Sequence, residues 1–213
     1  MSRKNICLAF TAIVMVLLTT TATAIALYDG YVCDHGYHTF GDYVLNGGVG
    51  NYGYTDRYYW VDEDAFTSRQ LWYIADAVDS WVFTTDDIGV TTSISVLETD
   101  EQSSSSFDFY SEYLGSTVLA RTEFWTYSTH QELTEEGALT SNYGYTKIII
   151  NTDNSYMDDR TQFTSTTAHE FGHAIGLSHR NTEPSSIMCQ TRYDRTAERA
   201  SASDLRTVNH LYD

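Results

Sequence analysis

Apolar residues at Leu71, Ile74, Ala75, Val78 and Val82 recur at helical spacing, which predicts an amphipathic helix that opens at Asp64 as its N-cap and carries Trp72 and Trp81. Alternation at period two marks strands instead. Arg57 to Val61 reads as a short aromatic strand, Thr91 to Leu97 as a second through Ile94 and Val96, and Thr117 to Trp125 as a third. Lys147 to Asn151 is almost all isoleucine and predicts a strand buried on both faces. A further helix is expected from about Phe163 to Gly176. Between these, Glu98 to Ser106 is acidic and serine-rich, as a solvated loop would be, and residues 27–56 carry turn pairs such as Asn46-Gly47 that predict an irregular wrap.

The first residues follow a different logic. Arg3 and Lys4 precede an apolar run from Ile6 to Leu18, and Ala22-Thr23-Ala24 supplies small residues for cleavage, the layout of a secretory signal. A spanning helix wants about 20 apolar residues, and reaching that length would enlist Thr19, Thr20, Thr21 and Thr23. The expected division is a signal over 1–24 (Ala26 being the alternative cut), an irregular segment over 25–56 and one catalytic domain over 57–213. Loss of Arg3 and Lys4 takes the formal charge from −17 to −19 and leaves Lys147 as the remaining lysine. Such a field repels a phosphate backbone, so nucleic acid is excluded as partner. Removal of the signal also removes Cys7 and leaves Cys33 and Cys189, an even pair in an oxidising compartment, for which a disulfide is expected, two free thiols being the alternative. The long loop it would close is worth roughly 4–5 kcal/mol in the chain-entropy account.

The chemistry concentrates in one window, His169-Glu170-Phe171-Gly172-His173 followed by Ala174-Ile175-Gly176-Leu177-Ser178-His179. On a helix, residues i and i+4 share a face, so His169 and His173 can offer two imidazoles to one metal ion while Glu170 stands beside it. Gly176 can end the helix in a left-handed turn and return the chain so that His179 becomes the third ligand. Three nitrogens leave the fourth position of a tetrahedral Zn²⁺ open to water, as catalysis needs and a structural site does not. Five fixed residues in eleven, at roughly one in twenty each, would coincide by accident in well under about one chain in a thousand. His35, His38, His130 and His210 have no such neighbours and are read as surface or locally bonded residues.

Together with Ser186-Ile187-Met188, nine residues beyond His179, this window resembles the zinc-binding core of metzincin peptidases with their Met-turn, and is closest to the matrixin branch. Ala77-Val78-Asp79-Ser80-Trp81 resembles the matrixin A-x-x-x-W pattern, and Ser203 to Tyr212 resembles the family's terminal helix. The resemblance runs over 163–189, extends more loosely over 57–151, and does not reach before about residue 50. It implies an α+β, zincin-like fold: a twisted mixed sheet with one antiparallel edge strand, two long helices, the Met-turn and a C-terminal helix. It also implies that the edge strand, within Thr117 to Trp125, binds substrate by strand addition. Departures are Arg180 where matrixins usually have serine, a turn one residue longer, and Gln190 where other metzincins carry a tyrosine ligand. Tyr31-Val32-Cys33-Asp34 does not resemble the family's cysteine switch. Tyr193 is read as a packing residue that can line the pocket after the scissile bond.

The function these residues imply is a secreted zinc endopeptidase, monomeric, acting on protein or peptide substrates, with no membrane partner once the signal is cut. Zinc sits on His169, His173 and His179, and Glu170 is the general base. One competing reading is a thermolysin-like enzyme with Glu198 as third ligand, which the spacing of His179 opposes. A catalytically idle zinc-dependent binding protein is another, which an intact Glu170 opposes. A third, a module that uses zinc only to fold, would have no need of the open position. Calcium is also implied by the resemblance, with Asp153, Asp158 and Asp159 as oxygen donors, yet without a spaced loop motif a solvated acidic surface accounts for them.

Overall fold

The structure is a computed structural model that describes residues 36–51, 54–135 and 138–213. The signal segment, His35 and Cys33, with its expected bridge to Cys189, lie outside these residues. Five strands form a mixed sheet: β1 (Arg57–Val61), β2 (Val96–Glu98), β3 (Phe107–Ser111), β4 (Ala120–Trp125) and β7 (Tyr145–Ile150), in the order β2-β1-β3-β7-β4. All neighbours are parallel except β4, which runs antiparallel to β7 with Thr122 opposite Ile148, at the edge nearest the site. A small hairpin, β5 (Thr134–Glu135) and β6 (Ala138–Leu139), precedes β7.

Among the described residues four α-helices complete the fold: α1 (Ser68–Val82), α2 (Thr85–Ile88), α3 (Arg160–Ala174) and α4 (Ala202–Tyr212). The core lies between one sheet face and α1 and α3, where Phe107, Phe109, Ile148 and Ile150 meet Ile74, Val78, Trp81, Phe163 and Phe171, all fully buried. Ile149 points to the other face and is buried too, as the isoleucine run predicts. No helix of the described residues is long and apolar enough to cross a membrane.

Several boundaries differ from the sequence reading, each for a local reason. α1 starts after Thr67, not Asp64, because Thr67 and Gln70 form a reciprocal capping box that satisfies the first free N–H groups. Its buried stripe is Tyr73, Ile74, Ala77, Val78 and Trp81, while Leu71, Ala75 and Val82 are only half-buried and Trp72 is exposed under the Arg160 guanidinium. α3 begins earlier than Phe163, because the Asp159 carboxylate accepts from the Gln162 N–H at 3.0 Å. The strand expected over Thr91–Leu97 shrinks to Val96–Glu98, since the Ser95 N–H is taken by the Val49 carbonyl of the preceding segment. The strand expected from Thr117 begins at Ala120, and the one expected from Lys147 begins at Tyr145.

β3 had not been expected at all. Its buried Asp108 looks like loop chemistry in the sequence, but Ser105 Oγ and Gln102 Nε2 donate to its carboxylate and make it tolerable in a strand. Residues 36–51 are irregular, as expected, yet belong to the core: Leu45 and Val49 are fully buried, and Thr39 bridges antiparallel to Leu177.

Candidate metal centre and active site

α3 carries His169 and His173 on one face, and Gly176, at φ +97°, turns the chain so that His179 comes back to the same point. The Nε2 atoms of His173 and His169 lie 3.1 Å apart, and those of His173 and His179 lie 3.0 Å apart. The other ring nitrogens fix the tautomers. His169 Nδ1 donates to the Ile187 carbonyl and His173 Nδ1 donates to the Leu177 carbonyl, each at 2.7 Å. Since carbonyls only accept, both Nε2 atoms carry lone pairs and face each other as acceptors. A cation resolves that arrangement, and tetrahedral zinc with bonds of about 2.0–2.1 Å places its nitrogens about 3.3 Å apart. The three histidines are thus positioned to hold a metal ion. Burial keeps the two helical imidazoles neutral, as ligands must be: it pushes His169 well below its ordinary value and His173 down to about 3, with the neighbouring imidazoles acting in the same direction.

The third histidine is held from an unexpected quarter. His38 Nδ1 donates to the His179 carbonyl at 2.9 Å, the Ser178 N–H donates to the His38 carbonyl, and the Phe40 N–H to the Gly176 carbonyl. Phe40 also packs its ring against His173, 5.7 Å between centroids. Residues 38–40 therefore brace the returning loop, and His38 is not the locally bonded residue its isolation in sequence suggests. His130 and His210 do stay elsewhere, against Tyr145 and Tyr37 respectively.

Glu170 is not one of the converging groups. Its Oε2 accepts from Thr122 Oγ1 on β4 at 2.9 Å, and the same hydroxyl lies 2.9 Å from the Glu170 backbone carbonyl. Burial raises the carboxyl to about 7, against the opposing pull of the Thr122 hydrogen bond and the Arg195 charge. A cleft exposes His169, Glu170, His173 and His179 together with Ala120, Arg121 and Thr122 of the edge strand.

The turn beneath the site is built around Met188 and Gly172. Both Met188 and Trp81 are fully buried, and Trp81 Nε1 donates to the Ala168 carbonyl at 2.9 Å. A Cβ on Gly172 would overlap Met188 Sδ and stand 2.9 Å from the Trp81 ring. Gly172 is therefore the gap through which both side chains reach α3. Gly172→Ala is expected to lower stability by about 1–3 kcal/mol through overpacking, despite alanine's better helix propensity of about 1 kcal/mol. A denaturant titration that showed the variant to be as stable as the parent would contradict this packing.

A family model for matrixin, peptidase family M10, matches residues 91–213. The chain belongs to the matrixin family. The match covers the metal centre, β3 to β7, α3 and α4, and the five-stranded mixed sheet with four helices is the α+β metzincin arrangement. No curated protein matches the chain significantly. Membership marks this matrixin as of a zinc metallopeptidase family, whose substrates are proteins or peptides. The matched span omits residues 38–40, whose bracing of the third histidine only the structure reveals.

The remaining sequence candidates fall outside the centre. Glu198 is exposed and not among the converging groups. Asp153, Asp158 and Asp159 do not converge on one point, and Asp159 serves as a helix cap. Tyr193 lies at the surface with Arg192 stacked 4.9 Å over its ring, outside the cleft lining. Sequence reasoning missed Thr122, His38, Phe40, Asp204 and Arg195. Each is brought in from another segment, and none but Asp204, in its capping box with Ser201, lies in a motif.

Proposed function

We propose that this matrixin is an exported zinc endopeptidase in which His169, His173 and His179 hold the ion and Glu170 is the general base. The observation that carries the reading is the meeting of three imidazoles, two of them with fixed tautomers, and a buried, non-ligating carboxylate in one open cleft. Zinc, when bound, supplies a Lewis acid that polarises the scissile carbonyl and makes water acidic enough to lose a proton near neutral pH. Glu170 takes the proton from the attacking water at its carboxylate and returns it to the departing amine. The Thr122 hydroxyl restrains that carboxylate from the β4 side, leaving it within the cleft where substrate lies.

β4 is the sheet's antiparallel edge, and Ala120, Arg121 and Thr122 line the cleft, so an extended peptide can add as a further strand and present its backbone to Glu170. Export is supported by the Arg3-Lys4 start, the Ile6–Leu18 run and the Ala22-Thr23-Ala24 site. The mature chain is proposed to work as a monomer, with residues 57–213 as the catalytic domain and Cys33 paired to Cys189.

The test is zinc analysis of the mature chain with casein digestion, before and after treatment with a chelator. One zinc per chain is expected, with cleavage lost on chelation and restored by added zinc. Stoichiometric zinc with no cleavage would favour the idle binding protein instead, and undiminished cleavage after complete zinc removal would exclude the mechanism.

A further inference from the structure

Three arginines line the catalytic cleft: Arg121, Arg192 and Arg195. Arg121 is committed to Glu123 at 2.7 Å and faces Glu112 at 3.9 Å. Arg192 and Arg195 enter none of the ion pairs among the described residues, in a chain where acids outnumber bases 29 to 12. Arg192 is exposed at the rim and donates to Gln190 Oε1 at 3.0 Å. Arg195 is set deeper, and burial lowers its pKa, the field of Glu170 opposing the shift.

The hydrogen-bond partners of Arg195 are all neutral, and the contacts are long. One guanidinium nitrogen reaches the Ile187 and Cys189 carbonyls, each at 3.4 Å, and another reaches Ser165 Oγ at 3.2 Å. Hydrogen bonds from a guanidinium to a carboxylate run at about 2.7–2.9 Å and are commonly bidentate. A desolvated cation whose hydrogen bonds are long and neutral, and which feels Glu170 only through its field without an ion pair, is left short of the compensation that a buried charge requires. Its position is defined by what it shares with the metal centre. The Ile187 carbonyl that faces Arg195 is the one that accepts from His169 Nδ1, and Ser165 lies one helical turn before His169 on α3. The guanidinium thus stands in the cleft wall beside the first metal-ligating position.

We propose that Arg195, with Arg192 at the rim, is a receptor for a substrate carboxylate, so that this matrixin prefers peptides with a carboxylate on a residue next to the bond it cuts. The inference rests on the peptidase reading above and narrows its substrate class. An acidic side chain and a free chain terminus offer the same group, and a guanidinium fork suits either. Arg195 is a specificity residue, which separates it from a strut: a strut would support all substrates alike, whereas a receptor discriminates Asp from Asn.

The test is a peptide-library digest by the zinc-loaded mature chain, followed by kcat/KM on matched peptides that differ only as Asp against Asn, Glu against Gln, or free against amidated C-terminus beside the cut. The carboxylate form is expected to be favoured about 10- to 100-fold, and whichever pair shows the preference identifies the source of the carboxylate. Arg195→Gln should bring that ratio to about one and Arg195→Lys should keep part of it, with zinc content and melting temperature recorded for each. Should Arg195→Gln not fold, Arg192→Gln and the salt dependence of the parent's Asp-to-Asn ratio decide, the ratio being expected to fall in both. A parent enzyme that cuts carboxylate and amide peptides equally, or an Arg195→Gln enzyme that retains the preference, overturns the assignment while leaving the peptidase intact. No cleavage of any library member by the zinc-loaded parent overturns both.

Discussion

Glu170→Ala is expected to lower kcat on a peptide substrate by about 10²–10⁴-fold, the range a positioned general base contributes, with zinc content unchanged. The expectation of retained metal follows from the geometry: the converging nitrogens belong to His169, His173 and His179, and the carboxylate is turned toward Thr122. Folding should survive, because Thr122 Oγ1 keeps an acceptor in the backbone carbonyl of residue 170 when the carboxylate is gone. The measurement is kcat alongside zinc per chain and melting temperature. Near-parental turnover by a zinc-loaded Glu170→Ala enzyme would exclude Glu170 as the base, and loss of zinc would show that it is tied to the metal more directly than proposed.

Asp204→Ala should cost the most stability of any single change outside the apolar core. The side chain is 2% exposed and gathers four donors: Ser186 Oγ at 2.5 Å, the Ile187 N–H at 3.1 Å, and the Ser201 N–H and Oγ at 2.8 Å each. It caps α4 and, through Ser186 and Ile187, fastens that helix to the turn carrying Met188. Removal strands several buried donors at about 1–3 kcal/mol apiece, for a total near 3–5 kcal/mol and a fall in melting temperature of about 10 °C in a domain of this size. Because the Ile187 carbonyl orients His169, zinc affinity should fall as well, by about 10–100-fold, as when outer partners of metal ligands are lost. Asp204→Asn, with one oxygen in place, should lie between. Equal melting temperatures for Asp204→Ala and the parent would show that the turn is held by packing alone.

The two residues illustrate opposite degrees of legibility. Glu170 is readable because helical geometry is local: once His169 and His173 are spaced by four, the position of the residue between them follows from the backbone period. Asp204 sits in an ordinary capping box with Ser201, which is readable, but that the same carboxylate also accepts from Ser186 and Ile187, eighteen and seventeen residues earlier, is not. The same contrast runs through the fold. The Arg57–Val61 strand coincides with its expected limits because its run of aromatic, strand-favouring residues is uninterrupted, whereas β3 was hidden by an acidic residue whose satisfaction depends on Ser105 and Gln102 folding back over it. Thr91–Ser95 has strand composition, yet the hydrogen bond of Ser95 goes to residue 49.

What the sequence by itself determined is everything that depends on spacing along one segment: the two helical histidines and their carboxylate, the glycine that turns the chain toward His179, the matrixin membership and the acidic charge. Tertiary structure alone decided which distant groups complete the centre. His38 reaches His179 across 141 positions, Thr122 reaches Glu170 across 48, and Arg195 reaches Ser165 across 30. Contacts at such separations leave no periodic trace, because each is a single side chain whose partner is chosen by how strands and loops pack in three dimensions.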